Sequence, residues 1–297
     1  MKRRFILALL LLACAALLFS SCVISGKDIS FGTSSYRYEN SRAYSAGNAT
    51  IAEPVTALDV SWICGDVMIE YHDGSEVIVT EESPHTLKEE EIMRYWLDGT
   101  VLRIQFMESG IYHNFVPDKS LLIRLPAESS LADIEIETVS ADITIGDIAM
   151  RELDIETVSG KIEFNNTSVL KNTDINGVSG NIKGILETEE FSGESVSGGM
   201  KLSLIGAAEV SVQMVSGNAA LSFDKAPEEL EIETVSGEID VSLPKDSEFS
   251  LKFDGVSGEL ETDFAMTVKG KIYICGNADR EYDVETVSGD VHFSFFD

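Results

Sequence analysis

Residues 133–145 read DIEIETVSADITI, and related segments follow as LDIETVSGKIEF (153–164), LEIETVSGEIDV (230–241) and YDVETVSGDVHF (282–293). Their shared centre, Val-Ser-Gly or a close variant, occurs eight times, at intervals of 19, 20, 18, 19, 20, 21 and 31 residues. Apolar and polar residues alternate within each segment with a period of two, which is typical of β-strands. The chain is therefore a repeat of strand-like units about 19 residues long.

The length of the repeat separates the possible repeat architectures. A propeller blade needs about forty residues, helical repeats need a period of 3.6, and hexapeptide β-helices show a six-residue pattern. The sequence has none of these features. We therefore predict an all-β parallel β-solenoid, with the right-handed winding that parallel crossovers favour. No single repeat can bury its own Ile and Val side chains, so the core must form by stacking of coils.

Each repeat is predicted to contain a corner between two strands. Ile134 and Ile136 share one parity, whereas Val139, Ile143 and Ile145 have the other, so the alternation changes phase within Thr-Val-Ser-Gly. Gly follows the Ser in seven of eight repeats, as expected where the backbone has a positive φ or approaches another backbone closely. The predicted corner ladder consists of Val139, Ser140, Val158, Ser159, Gly160, Val178, Ser179, Gly180, Val196, Ser197, Gly198, Val215, Ser216, Gly217, Val235, Ser236, Gly237, Val256, Ser257, Gly258, Val287, Ser288 and Gly289.

A column of mostly acidic residues stands two positions before each Val. Stacked coils would place these side chains outward at steps of about 4.8 Å. Carboxylate oxygens are ligands for Ca²⁺, although the sequence has no EF-hand loop, and a solvated acidic face is the favoured interpretation. The residues of the calcium hypothesis are Glu137, Glu156, Glu194, Glu233, Asp254 and Glu285, with Asn176 and Gln213 completing the column.

The N-terminus is predicted to be a lipoprotein signal peptide. Residues 1–22 read MKRRFILALLLLACAALLFSSC, with basic residues first, an apolar stretch from Phe5 to Phe19, and small residues before Cys22. Cleavage after residue 21 would leave Cys22 to be lipidated and to anchor an exported protein in the bacterial envelope. The alternatives are a lipobox ending at Cys14, cleavage without lipidation, or an uncleaved anchor.

Four segments are predicted along the chain. Residues 1–21 form the signal, and residues 22–55, rich in Ser, Gly, Asn, Tyr and Arg, form a flexible tether. Residues 56–130 form an irregular N-terminal β cap, which includes a first coil-like unit with Cys64 in the Ser position and a hairpin that turns at Asp98-Gly99. Residues 131–297 form the solenoid, whose final strand, Val291 to Phe295, is expected to be an exposed edge.

Charge and motifs limit the possible functions. The chain has 22 Lys and Arg against 51 Asp and Glu, a formal net charge of −29, and such a field repels nucleic acid. The sequence contains no HExxH, P-loop, GxGxxG or GxSxG motif, so we predict no catalytic residue, no cofactor and no nucleic-acid partner. Cys64 and Cys275 are expected to be buried thiols, because they lie near opposite ends of the repeats.

The ETVSG coils, the segment WICGDV (62–67) and the strand LLIRLP (121–126) resemble the bacterial DUF4097-type β-strand-repeat proteins, a group of candidate adhesins. The resemblance covers residues 56–297 and implies a solenoid without a catalytic motif. The expected function is a non-catalytic, lipid-anchored surface module that binds a protein or a glycan. The alternatives are an envelope scaffold or stress-sensing component that binds the cell's own membrane proteins and, less favoured, a polysaccharide-active enzyme.

Overall fold

The computed structural model describes residues 23–24, 27–28, 36–110, 118–129 and 131–296. These residues divide into two compact units at Lys161 and Ile162. The predicted signal peptide, the lipidation site Cys22 and the rival Cys14 lie outside the described residues. In the described part of the chain, no helix has the length and the apolar character needed to cross a membrane.

The N-terminal unit is built almost entirely of β-strands, with two short 3₁₀ helices at Ser41–Ala43 and Glu89–Glu91. Its strands are β1 (Val23–Ile24), β2 (Lys27–Asp28), β3 (Ser45–Ala46), β4 (Ala49–Ile51), β5 (Ala57–His72), β6 (Val77–Glu82), β7 (Arg94–Asp98), β8 (Val101–Gln105), β9 (Lys119–Pro126), β10 (Leu131–Ile145) and β11 (Ala149–Ser159).

Parallel coils form the centre of this unit. Strand β5 pairs with β10 on one side, and with β8 and then β9 on the other. Strand β10 also pairs in parallel with β11. The antiparallel hairpin β7–β8 turns after Asp98, as the sequence predicts, and Gly99 has a φ of 66°. The register places Cys64 opposite Ser140, so that Cys64 stands in the Ser position of its coil.

The predicted tether is wrong for its second half. Strands β3 and β4 pair with β7 and β6, and the side chains of Tyr36, Tyr38 and Ile51 are between 5% and 8% exposed. The segment is polar in overall composition, but the rings of its tyrosines pack on the sheet. Burial of these apolar ring surfaces offsets the conformational entropy that the segment loses when it becomes ordered.

The C-terminal unit contains the remaining coils. Its strands are β12 (Ile162–Ser179), β13 (Ile182–Ser197), β14 (Met200–Ile205), β15 (Glu209–Ser216), β16 (Ala219–Phe223), β17 (Glu229–Ser236), β18 (Ile239–Pro244), β19 (Phe249–Gly255), β20 (Leu260–Thr262), β21 (Thr267–Lys269), β22 (Ile272–Cys275), β23 (Glu281–Thr286) and β24 (Val291–Phe296).

Equivalent strands of successive coils pair in parallel, as a β-solenoid requires. Strand β13 pairs with β15 and β15 pairs with β17, while β14 pairs with β16 and β16 pairs with β18. The inward side chains of Val212, Ile232 and Val284 stack in register and are fully buried. Their burial removes apolar surface from water in every coil and is the main source of stability.

The last coil of the sequence is not the last coil in space. Strand β23 lies between β17 and β19, and β24 lies between β18 and β20, with all four pairings parallel. The prediction that Val291–Phe295 forms an exposed edge is therefore wrong. The outer side of β19 is instead covered by β22, which runs antiparallel to it and pairs with β21.

An aromatic cluster fills the core of these last coils. The Phe249 and Tyr282 rings stack with centroids 4.8 Å apart, and Phe264 meets Phe249 edge-on at 5.2 Å. Phe293 and Phe249 are fully buried, whereas Phe295 and Phe296 are 36% and 43% exposed. Such edge and stacked contacts add to the burial of each ring and hold the inserted coil in place.

Candidate functional site

The Ser side chains at the corners are hydrogen-bond donors to the neighbouring coil. Six of these Ser hydroxyls donate to the main-chain carbonyl of a Val, or of Ile63, in an adjacent coil. The bonds are Ser140 to Ile63 (3.3 Å), Ser159 to Val139 (3.2 Å), Ser216 to Val196 (3.2 Å), Ser236 to Val215 (3.4 Å), Ser257 to Val287 (3.0 Å) and Ser288 to Val235 (3.2 Å). Their protons are thus engaged in the coil-to-coil ladder, an arrangement that tightens the corner rather than activating a nucleophile.

The corner glycines stack with no room for a side chain. Gly217 and Gly237 have φ values of 134° and 130°, and a Cβ at Gly237 would lie 1.9 Å from the carbonyl oxygen of Gly217. The same close approach occurs at Gly198, whose φ is outside the left-handed region, over the carbonyl oxygen of Gly180. The close approach of the neighbouring backbone, more than a positive φ, is the reason that these corner positions require glycine.

The Thr of each ETVSG segment is buried, and the sequence reasoning missed it. Thr138 and Thr234 are fully buried, and the Thr138 hydroxyl donates to Thr157 Oγ1 at 2.8 Å. The corner Val is more variable, since Val256 and Val287 are 60% and 37% exposed, whereas Val139 is 5% exposed. The signal was present in the parity, because Thr138 continues the inward series of Ile134 and Ile136.

The predicted acidic column exists in both units, but it does not form one continuous series of carboxylates. Glu137 and Glu156 are opposite each other, and Glu137 is only 1% exposed and accepts a hydrogen bond from the Ser61 hydroxyl at 3.2 Å. In the C-terminal unit the order in register is Asn176, Glu194, Gln213, Glu233, Glu285 and Asp254. Among the described residues, no group of three or more His, Cys, Asp or Glu side chains has the geometry to hold a metal ion.

Basic side chains neutralise the end of this column. Lys271 Nζ lies 2.7 Å from an Asp254 carboxylate oxygen, and Lys252 Nζ lies 3.8 Å from Glu285. Burial, followed by repulsion from Glu231 and Glu285, raises the pKa of Glu233 above its ordinary value of 4.5. The carboxylates in the middle of the column therefore carry the unfavourable part of its charge.

Next to this column, the same unit contains an acidic groove of about 620 Å³. Four glutamates, Glu190, Glu209, Glu229 and Glu281, stand in register on consecutive strands along it. A parallel line of outward residues runs through Ser192, Ser211, Glu231, Asp283 and Lys252. Rows of carboxylates this close together create a strong negative potential that would attract basic groups.

The N-terminal unit contains a smaller pocket of about 320 Å³. Sequence reasoning missed it, because part of its wall, Tyr38, Glu39, Asn40 and Tyr44, comes from the segment interpreted as a tether. The lining residues combine aromatic rings with acidic, amide and guanidinium groups: Tyr38, Glu39, Asn40, Tyr44, Asp59, Trp96, Asp98, Arg103, Gln105 and Glu135.

Arg103 and Gln105 of this pocket are held by neighbouring side chains. Arg103 forms ion pairs with Asp59 and with Asp98, whose Oδ2 is 3.2 Å from Nε. Gln105 is fully buried and accepts a hydrogen bond from the Tyr36 hydroxyl at 2.5 Å. Burial also raises the pKa of Tyr38 to about 12, so its hydroxyl stays protonated at neutral pH.

A buried lysine stands at the start of β9. Lys119 Nζ lies 2.6 Å from Glu81 Oε1, donates to the Glu91 carbonyl at 2.7 Å and also to that of Phe106. It lies 5.0 Å from the Trp62 ring centroid. Burial lowers the pKa of Lys119, whereas the Glu81 carboxylate raises it. With its donors engaged, this lysine joins the segments around it and is a structural residue.

The two described cysteines do not form a disulfide. Burial raises the pKa of the Cys64 thiol, and Asp118 adds to the shift. Burial also raises the pKa of Cys275, whose sulfur lies 3.4 Å from the Ser247 carbonyl oxygen. Thiols with raised pKa values contain little reactive thiolate at neutral pH.

The family model described as Toastrack DUF4097 matches residues 55–294. No curated protein matches the chain. Similar solved structures include candidate adhesins from Bacteroides fragilis (10% identity, 84% of this chain and 96% of that chain, TM-score 0.43) and Parabacteroides distasonis (14% identity, 85% and 97%, TM-score 0.43). Another is a candidate cell adhesion protein from Clostridium sporogenes (13% identity, 85% and 100%, TM-score 0.27).

Proposed function

Because the chain belongs to the Toastrack DUF4097 family, we propose that it is a non-catalytic binding module of the bacterial envelope. In this proposal a lipid on Cys22 attaches the exported chain to a membrane, and the acidic groove of the C-terminal unit binds a basic protein surface. The observation that carries the proposal is the line of glutamates along that groove, Glu190, Glu209, Glu229 and Glu281.

The chemistry of the groove supports a cationic protein rather than an anionic ligand. Its volume of about 620 Å³ lies within the range of about 300–1,000 Å³ that ligand sites occupy. Lys252 is the one basic residue among those that line it, and Lys252 Nζ is paired with Asp283. Basic side chains entering the groove would replace solvent next to carboxylates that now repel each other.

The geometry of the Ser ladder supports a binding role over a catalytic one. Six of the corner Ser hydroxyls donate to carbonyls, and none of the residues lining the groove is a His or a Cys. A nucleophile needs an adjacent base to become reactive. The regular surface is better suited to present fixed charges to a partner.

A peptide of eight lysines tests the groove directly. In calorimetric titrations, a variant carrying Glu209→Gln, Glu229→Gln and Glu281→Gln should bind this peptide at least about fivefold more weakly than the unchanged chain. The matched control carries Glu238→Gln, Glu259→Gln and Glu261→Gln, which remove the same charge from exposed positions outside the groove. Equal weakening in both variants would show that net charge alone attracts the peptide and would contradict a groove site.

The anchor has its own test. Cells that express the unchanged chain, Cys22→Ala or Cys14→Ala are labelled with a radioactive fatty acid, and the membrane fraction is analysed for labelled protein. We expect label on the unchanged chain and on Cys14→Ala, and none on Cys22→Ala. Label that persists in Cys22→Ala, or that disappears in Cys14→Ala, would contradict lipidation at Cys22.

A further inference from the structure

The pocket of the N-terminal unit combines an aromatic wall with a polar floor. The Tyr44 and Trp96 rings meet edge-on with centroids 5.6 Å apart and planes at 62°. Tyr38 meets Tyr44 in the same way at 4.9 Å. Tyr44 and Trp96 are only half-buried, so part of their ring surface borders the pocket. The exposed part of an aromatic ring offers an apolar surface to a ligand.

The floor presents hydrogen-bonding groups in a fixed arrangement. Asp59, Arg103 and Trp96 stand in register across β5, β8 and β7. Arg103 is held between Asp59 and Asp98, and its side chain is still 33% exposed. Groups that are already positioned by ion pairs lose little freedom when they bind a ligand.

The charges of the lining exclude two classes of ligand. Four acidic residues and one Arg leave a net charge of −3, which repels an anion. A compact cation would have to compete with Arg103 for Asp59 and Asp98, because the guanidinium already pairs with both carboxylates. A neutral ligand that both donates and accepts hydrogen bonds satisfies the carboxylates and the guanidinium together.

A sugar ring has these properties. Each hydroxyl is both a donor and an acceptor, and the C–H groups of the ring form an apolar face that can lie on Trp96 or Tyr44. The volume of about 320 Å³ is at the small end of the range for ligand pockets and suits one ring rather than a long chain.

We propose that this pocket binds one neutral sugar ring of a glycan, with the apolar face of the ring on Trp96 and its hydroxyls on Arg103 and Asp98. This site goes beyond the binding function proposed above and is independent of the acidic groove, which lies in the other unit. The triple Gln variant of the groove should therefore bind sugars as the unchanged chain does.

The test uses methyl glycosides of glucose, galactose, mannose and N-acetylglucosamine with the detergent-solubilised full chain. Saturation-transfer NMR detects bound sugar, and titration of the tryptophan fluorescence gives the affinity. We expect saturable binding of at least one glycoside at a concentration below about 10 mM. No saturable binding of any of the four would overturn the proposal.

Variants locate the site. Trp96→Leu and Asp98→Asn should each weaken binding at least about tenfold, while Tyr273→Leu, at a half-buried aromatic of the C-terminal unit, should leave it unchanged. Trp62 is buried and remains in the Trp96→Leu variant, and NMR gives the affinity there if the fluorescence no longer changes. Circular dichroism and thermal melting verify that each variant is folded. Equal affinity of Trp96→Leu and Tyr273→Leu would overturn the assignment to this pocket.

Charged sugars test the electrostatic argument. Glucuronic acid and glucosamine should each bind more weakly than methyl glucoside at the same ionic strength, because the first meets the acidic lining and the second must compete with Arg103 for Asp59 and Asp98. Stronger binding of glucosamine would identify the pocket as a cation site and would contradict the neutral-sugar proposal.

Discussion

Glu233 and Glu285 stand directly opposite each other on the neighbouring parallel strands β17 and β23. Each belongs to the column of residues that stand two positions before a corner Val. Glu231 faces Asp283 two residues earlier on the same strands. The inserted last coil therefore places two pairs of acidic residues opposite each other in register. Opposed like charges destabilise a sheet, and this relationship makes the stability of the C-terminal unit sensitive to pH.

We predict that Glu233→Gln stabilises the protein at neutral pH. The folded pKa of Glu233 is above its ordinary value of 4.5, so its ionised form is disfavoured in the folded state. The penalty is present above the folded pKa and disappears as the pH falls below the unfolded value near 4.5. The variant should gain about 0.5 kcal/mol at pH 7 and nothing at pH 4, measured by urea unfolding.

Glu238→Gln is the control for this prediction, because Glu238 is exposed and stands outside the outward columns. It should not change the free energy of unfolding at either pH. A gain in Glu233→Gln that is the same at pH 4 and pH 7 would contradict the assignment of the effect to carboxylate repulsion.

Lys119→Met should strongly destabilise the N-terminal unit. The substitution leaves the Glu81 carboxylate, 5% exposed, without its cation in the interior. Loss of one partner from a buried ion pair costs about 3–5 kcal/mol. The double variant Lys119→Met, Glu81→Gln should lose less than the sum of the two single variants, as expected for residues in direct contact.

Lys88→Met is the matched control, since the Lys88 side chain is 68% exposed in its pair with Glu91. Lys88 is exposed and its main-chain N–H, which also donates to Glu91, remains in the variant, so the loss should be about 0–1 kcal/mol. If denaturant unfolding gives the same loss for Lys119→Met and Lys88→Met, the buried lysine does not join the segments around it as described.

Gly237→Ala and Gly270→Ala separate the two reasons for glycine. Both residues have positive φ, but a Cβ at Gly237 meets a backbone oxygen at 1.9 Å, whereas a Cβ at Gly270 meets nothing within 4 Å. Gly270→Ala should cost about 1 kcal/mol, from φ alone. Gly237→Ala should cost about 3 kcal/mol or more, because the coils must also move apart. Similar melting temperatures for the two variants would show that close stacking is not what requires glycine at the corner.

The inserted coil can be tested by truncation. Deletion of residues 281–297 removes β23, the parallel partner of both β17 and β19, and β24, the parallel partner of both β18 and β20. Amide hydrogen exchange should then show loss of protection in residues 249–255 as well as in residues 229–236. If the coils followed sequence order, only the outermost strand would be affected. Retained protection in residues 249–255 would therefore contradict the insertion.

The repeat made most of the fold predictable, because its alternation and its Val-Ser-Gly corner follow from local backbone geometry. It could not predict the order of the last coils. The segments around Val256 and Val287 have nearly the same pattern, so either could stack on Val235. The hairpin β21–β22 covers β19 through a contact between strands of different pattern, which the repeat does not encode.

The pocket of the N-terminal unit could not be predicted from the sequence for a different reason. Tyr36, Tyr38 and Tyr44 lie in a segment rich in Ser, Gly and Asn, and composition predicts flexibility there. The residues beneath them, such as Ser61 and Gln105, are polar but fully buried. Alternation identifies which side chains share a face, but it cannot show that a second layer of chain covers a polar face.

The central claim, an envelope module that binds a protein through its acidic groove, is tested most directly by crosslinking in intact cells. Crosslinking is carried out on cells that express the unchanged chain, the groove variant (Glu209→Gln, Glu229→Gln and Glu281→Gln) or the control variant (Glu238→Gln, Glu259→Gln and Glu261→Gln). Captured proteins are identified by mass spectrometry. Surface protease treatment of parallel samples shows whether the partner is resident or external. We predict a reproducible protein partner that is lost only in the groove variant. Absence of a partner, or equal capture by the groove variant, would contradict the claim.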